Sequence, residues 1–169
     1  MHLGWHYYAV RAYDRAVEEV GKALAMEPFG LAHIQQGLNL EQHGRFDDGI
    51  AEFQKALTFS KGSTEILAYL GHAYAVAGRQ TEAREVLRRL QELLQQKKYV
   101  SAFDVAIIHA GLGEPDQAFD WLEKAYAERS SGFSGLVYLN TDPRLDGLRS
   151  DPRFQDLLRR MKFPEDQTR

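Results

Sequence analysis

The chain has 169 residues, 44% of them hydrophobic, a formal charge of −3 and no cysteine. That length holds one domain or one short solenoid with a sizeable core. The near-balanced charge gives no reason to expect a nucleic acid or an anionic membrane as partner, and the missing cysteines exclude a disulfide framework, thiolate chemistry and cysteine-based metal sites. No apolar run approaches bilayer length, and the N-terminus lacks the positive n-region and cleavage site of a signal peptide, so the chain reads as soluble, unprocessed and cytoplasmic.

Residues 1–29 read as a helical hairpin. Its first helix runs to about Val10 and is short at its start, so the chain opens inside a motif; an excised fragment and a shortened first helix both fit. Trp5, Tyr8 and Val10 make this helix edge apolar, which marks it for self-association as a homodimer. The second helix runs from Asp14 to about Met26 and is stopped by Pro28. Residues 30–61 form the next hairpin, with Gly44 closing its first helix. Residues 64–98 are the clearest. Leu67, Leu70, Gly71 and Tyr74 share one helix face; Gly78 ends that helix and Thr81 caps the next. Ala83, Val86, Leu87 and Leu90 form the inward stripe of that second helix, opposite Arg84, Arg88 and Glu92. Residues 99–129 carry Phe103, Val105, Ala106 and His109 on one helix and Phe119, Trp121, Leu122 and Tyr126 on the other.

After Ser130-Ser131-Gly132 the period is lost. Residues 131–163 read as a C-terminal helical cap. Leu136, Val137 and Leu139 suggest a short helix over the last hairpin. Asp142-Pro143 and Asp151-Pro152 each put a capping carboxylate before a proline at the first helical position, where its missing N–H costs nothing. The final helix, about Pro152–Met161, buries Phe154, Leu157, Leu158 and Met161, and residues 164–169 fray.

The hairpins are in phase. Expected N-caps at Asp14, Asp47, Thr81 and Asp116 recur roughly every 34 residues. A small residue recurs at Gly4, Gly37, Gly71 and Ala106, followed three later by Tyr7, Leu40, Tyr74 and His109. In each second helix Ala16, Gly49, Ala83 and Ala118 precede Val20, Phe53, Leu87 and Leu122. Small positions let backbones approach, and each hairpin has an apolar side too large to bury alone. This helix–turn–helix period with its small/large pattern resembles the tetratricopeptide repeat (TPR) family across about residues 1–130. The resemblance implies an all-α, right-handed superhelix, an α-α solenoid of four repeats (1–29, 30–61, 64–98 and 99–129) with the C-terminal cap. Gln36 in place of a leucine, Gly49 in place of alanine and Ala106 in place of glycine depart from the pattern; Gly49 should loosen its helix by about 1 kcal/mol. The stretch from Ala118-Phe-Asp-Trp121 through Asp142-Pro-Arg-Leu145 to Asp151-Pro-Arg-Phe154 is similar to the TPR tails of bacterial multidomain signalling proteins, which implies an interaction or regulatory role.

In stacked TPR hairpins the first helix of each pair faces the concave side. By repeat phase the groove residues are Trp5, Tyr8, Ile34, Leu38, Glu41, Tyr69, His72, Phe103 and Ile107, with Ala68 among them. Aromatic anchors at helical spacing suit a partner's amphipathic helix or extended peptide. Against this stands a second reading, in which the C-terminal cap or a dimer mate covers the same surface. The groove departs from the carboxylate-clamp subfamily, which holds a peptide C-terminus with Lys, Asn and Arg; here Glu41 and Asp104 favour an apolar partner flanked by Lys or Arg.

His2 and His6 stand four apart, a metal-chelating spacing, but no third ligand lies near them in sequence, and surface histidines are the better reading. His109 fills a packing slot. No nucleophile elbow, phosphate loop or zincin helix is present, and Gly111-Leu-Gly113-Glu is a helix end, with no strand before it to make a phosphate cradle. The expectation is a non-enzymatic scaffold or adaptor for protein–protein interaction, without cofactor or metal. The alternative is a ligand- or metal-sensing regulatory module of a larger bacterial signalling protein.

Overall fold

The computed structural model describes residues 6–8, 10–26, 29–60, 62–129 and 135–162. Among these every regular element is a helix. In chain order they are α1 (Tyr13–Met26), α2 (Gly30–Gln42), α3 (Phe46–Ser60), α4 (Thr64–Val76), α5 (Gln80–Gln95), α6 (Ala102–Gly111), α7 (Pro115–Glu128), two 3₁₀ pieces (Leu136–Tyr138 and Pro143–Leu148) and α8 (Pro152–Arg160). Hairpins α2/α3, α4/α5 and α6/α7 stack in order, with α1 on α2 and helical residues 6–8 ahead of it. The result is an all-α helical-repeat solenoid.

The turns inside the hairpins share one design. Gly44, Gly78 and Gly113 take positive φ (78°, 76° and 72°), and Arg11 stands at the equivalent place in the first hairpin with φ 59°. The next N–H reaches back across the helix end in all four: Ala12 to Tyr7 O (2.8 Å), Arg45 to Leu40 O (2.8 Å), Arg79 to Tyr74 O (2.8 Å) and Glu114 to His109 O (3.0 Å). This six-to-one closure satisfies an orphan carbonyl. The acceptors are the four large residues that recur in the sequence pattern. The expected N-caps are displaced by two residues. The outer helices begin at Tyr13, Phe46, Gln80 and Pro115, so Asp14, Asp47, Thr81 and Asp116 sit inside the first turn. There the three carboxylates favour the positive helix end, and the true cap residues Arg79 and Glu114 bring no side-chain cap.

Glycine sets the helix spacing at two positions. A Cβ on Gly37 would stand 2.6 Å from the Phe53 ring, and one on Gly71 would stand 2.9 Å from both Ile108 and Val86. Gly49, read from sequence as a loosened alanine, has a packing reason: a Cβ there would lie 3.1 Å from Gly37 O.

Inner and outer helices differ in burial. The outer helix α5 buries only Ala83, Val86, Leu87 and Leu90. The inner helix α6 is buried at every position from Ala102 to Ile108, and α4 at nearly every one. A helix buried all round needs cover on both sides. The outer helices supply one cover and the C-terminal residues supply the other. Leu136, Leu139, Leu145, Leu148, Phe154 and Leu157 share one core cluster with Tyr69, Phe103, Ile107, Phe119 and Leu122. The cap is therefore mostly 3₁₀ and turn, and it enters the concave side as well as covering the last hairpin.

Candidate functional site: the concave groove

The inner faces of α2, α4 and α6 bring the predicted groove residues together. Leu38, Glu41, Tyr69, His72, Phe103 and Ile107 are all buried, while Tyr8 and Ile34 are half-buried and packed on the same core. Trp5 lies outside the described residues. Residues of the C-terminal segment share a core with this surface, and Phe103 and Ile107 have no exposed area. The physical reason is that the inward faces of α4 and α6 are too apolar to be left to water, and the nearest apolar chain follows α7 directly. At the N-terminal edge Val10 is exposed, whereas Tyr8 turns inward, meeting the Tyr13 ring edge-on at 5.9 Å.

The segment packed here is the 3₁₀ helix Pro143–Leu148. Asp142 caps it, accepting from Arg144 N–H at 3.0 Å. The Arg144 side chain folds back on the same carboxylate, Nε donating to Oδ1 at 2.9 Å and Nη2 to Oδ2 at 2.6 Å. Both side chains are 4% exposed. The guanidinium carbon lies 5.0 Å from the Tyr69 ring centroid, a cation–π contact. Tyr69 is itself fixed from behind, stacked on Phe53 at 5.8 Å and donating its hydroxyl to Glu65 at 3.0 Å. Leu145 beside it has no exposed area.

Several charges meet at this point. Burial opposes ionisation of Asp142, but the Arg144 guanidinium outweighs it and holds the carboxyl below the ordinary range, with His72 helping. Burial likewise works against the Arg144 charge, and Asp142 overcomes it. Burial, with the Asp142 charge second, pushes the Tyr8 phenol well above its usual value. His72 Nδ1 stands 3.0 Å from Glu41 Oε1, both side chains almost wholly enclosed, and Gln42 donates to the same oxygen at 3.1 Å. Gln35 and Asn39, one turn apart on α2, are fully buried with no side-chain partner among the described residues.

Sequence reasoning read Asp142 only as a cap and gave Arg144 no role. The signal it held is a repeated Asp-Pro-Arg-apolar run, at 142–145 and 151–154. Of the histidines, His109 pairs with Glu114 at 2.7 Å and is half-buried; Glu114 also accepts from Arg84 at 2.6 Å. His6 is exposed and His2 lies outside the described residues. Among the described residues no group of three or more His, Asp or Glu is placed to hold a metal ion, and no helix is long and apolar enough to cross a membrane.

Two family models, both described as tetratricopeptide repeat, match the chain, one over residues 2–64 and the other over residues 40–103. Comparison with curated proteins gives no match.

Proposed function

The chain belongs to the tetratricopeptide repeat family, whose repeats serve as protein-interaction scaffolds, and from that premise we propose that it binds a peptide or helix of a partner protein in the concave groove, in exchange for its own C-terminal segment. One observation supports the reading: a short segment of the chain itself packs against Tyr69 and the inner helices. Residues 142–148 form this segment as a short capped turn, with an arginine over Tyr69 and a leucine buried beside it. A ligand needs the same features, an apolar anchor and a cation able to face the Tyr69 ring, which agrees with a partner whose apolar face carries Lys or Arg.

Exchange is supported by the make-up of the occupant. Between Gly135 and Asp151 the chain forms only two 3₁₀ pieces. Such pieces have poorer hydrogen-bond geometry than an α-helix, so this segment is held mainly by its buried leucines and the Asp142–Arg144 pair rather than by a continuous helical ladder. The inner helices beneath it are continuous and doubly packed. The reading assigns the chain no catalytic step.

The test is hydrogen–deuterium exchange on the full chain alone and with a captured partner. Protection over α4 and α6, with faster exchange over residues 136–149, is the expected result. Protection confined to the outer helices α3, α5 and α7 overturns it.

A further inference from the structure

We infer that the groove reads one chemical signature, a turn of the form Asp-Pro-Arg-apolar, and that the partner which displaces residues 142–145 presents such a turn; this rests on the groove reading above.

The chain contains the signature twice, and the two copies fold alike. In the first, Asp142 accepts Arg144 N–H at 3.0 Å and grips the guanidinium at 2.9 and 2.6 Å. In the second, Asp151 accepts Arg153 N–H at 2.9 Å and holds its Nε and Nη2 at 3.1 and 2.8 Å. Each guanidinium lies over an aromatic ring, Arg144 over Tyr69 at 5.0 Å and Arg153 over Phe119 at 4.1 Å. Each is followed by an apolar residue with no exposed area, Leu145 or Phe154. Two different surfaces thus hold the same four-residue unit in the same way.

The internal geometry explains why the unit docks. Proline presets the first turn, the aspartate satisfies an orphan N–H and brings the arginine its counter-ion, and the paired plane can stack on a ring. An arginine arriving without that carboxylate would be buried unpaired, which is strongly unfavourable. The two sites differ in enclosure. Arg153 is half exposed on α7, where Asp116 also takes it at 2.8 Å, and any basic side chain would be tolerated there. In the groove the pair is wholly enclosed, and both its charges are answered. Asp142 and Arg144 neutralise each other through two hydrogen bonds, and the guanidinium lies over the Tyr69 ring. A purely apolar helix leaves the buried Glu41 and His72 side chains facing carbon, and an arginine without its own aspartate gives up the two-pronged contact that Asp142 supplies. The groove therefore selects the self-neutralised turn.

The experiment titrates a labelled peptide of residues 136–149 into the full chain, wild type and Leu145→Ala, by fluorescence anisotropy. The wild-type groove is occupied, so its apparent affinity is reduced by the fraction open. The expected result is binding about tenfold tighter to Leu145→Ala than to wild type, and roughly a hundredfold or more weaker for peptides carrying Arg144→Ala or Asp142→Asn, the effect of burying one charge of the pair without the other. A full-chain Asp142→Asn receptor, which keeps the side-chain shape, is run in parallel with circular dichroism as the fold check. If the altered peptides bind as well as the native one, the signature is not read and this inference falls while the groove reading stands. If no peptide binds but a partner still protects α4 and α6, the inference falls alone. If neither occurs, both fall.

Discussion

Arg11 and Asp146 form a two-pronged pair across the mouth of the concave face, Nη1 to Oδ2 at 2.5 Å and Nη2 to Oδ1 at 2.9 Å. Arg11 belongs to the first hairpin turn and Asp146 to the 3₁₀ helix near the other end of the chain. The pair shows that the C-terminal segment reaches back from the last hairpin to the first. Both side chains are more than a third exposed, so the contact marks the path of the segment more than it holds it. Replacing Arg11 with alanine should cost under about 1 kcal/mol in urea unfolding. The difference from wild type should shrink in about 0.5 M salt, where exposed charges are screened.

The enclosed pair behaves differently. Arg144→Ala leaves the Asp142 carboxylate buried without its counter-ion and should destabilise by about 3–5 kcal/mol. Removing both charges, as Asp142→Ala with Arg144→Ala, should cost less than the sum of the two single changes. A double-mutant cycle by chemical denaturation checks this; additive single effects would mean that the two side chains do not act as a pair.

Acid should release the segment. The folded pKa of Asp142 lies below its ordinary value, so its ionised form contributes stability at neutral pH. That contribution is lost as pH falls below the unfolded value of about 3.9 and through the lower folded one. Thermal melts between pH 7 and pH 2 should show a fall in this window that is smaller in Asp142→Asn. At the alkaline end the sign reverses. The Tyr8 phenol is raised by burial, so stability declines as pH climbs past about 10, and Tyr8→Phe should flatten that arm.

Two glycines separate backbone strain from crowding. Gly78 has φ 76° and open space around its missing Cβ. Gly78→Ala should therefore cost about 1–2 kcal/mol from conformation alone. Gly37 is helical, and alanine there would gain about 1 kcal/mol of helix propensity. Its Cβ, however, would strike the Phe53 ring, which is wholly buried and braced on Tyr69. Net destabilisation of about 2 kcal/mol is expected from overpacking, and a smaller Phe53→Leu side chain should rescue Gly37→Ala but leave Gly78→Ala unchanged. Equilibrium denaturation of the four variants decides it.

Much of this molecule follows from local rules. The recurrence of Gly37 and Gly71, the turn glycines Gly44, Gly78 and Gly113, and the inward stripe from Ala83 to Leu90 each rest on contacts within one hairpin or with its neighbour, which the helical period records directly. The same phase placed Tyr69, His72, Phe103 and Ile107 on one face. What it did not carry was the state of that face. Residues 136–148 have no period of their own, and nothing in their order says whether they lie outside the last hairpin or inside the hollow. That was decided by packing across the whole chain: α4 and α6 are too apolar on their inner sides to face water, and the turn at 142–148 packs on them with its arginine paired to Asp142. Repeats are written in the sequence because each meets only its neighbours, whereas the contents of the groove depend on residues that become neighbours only after the solenoid has curved.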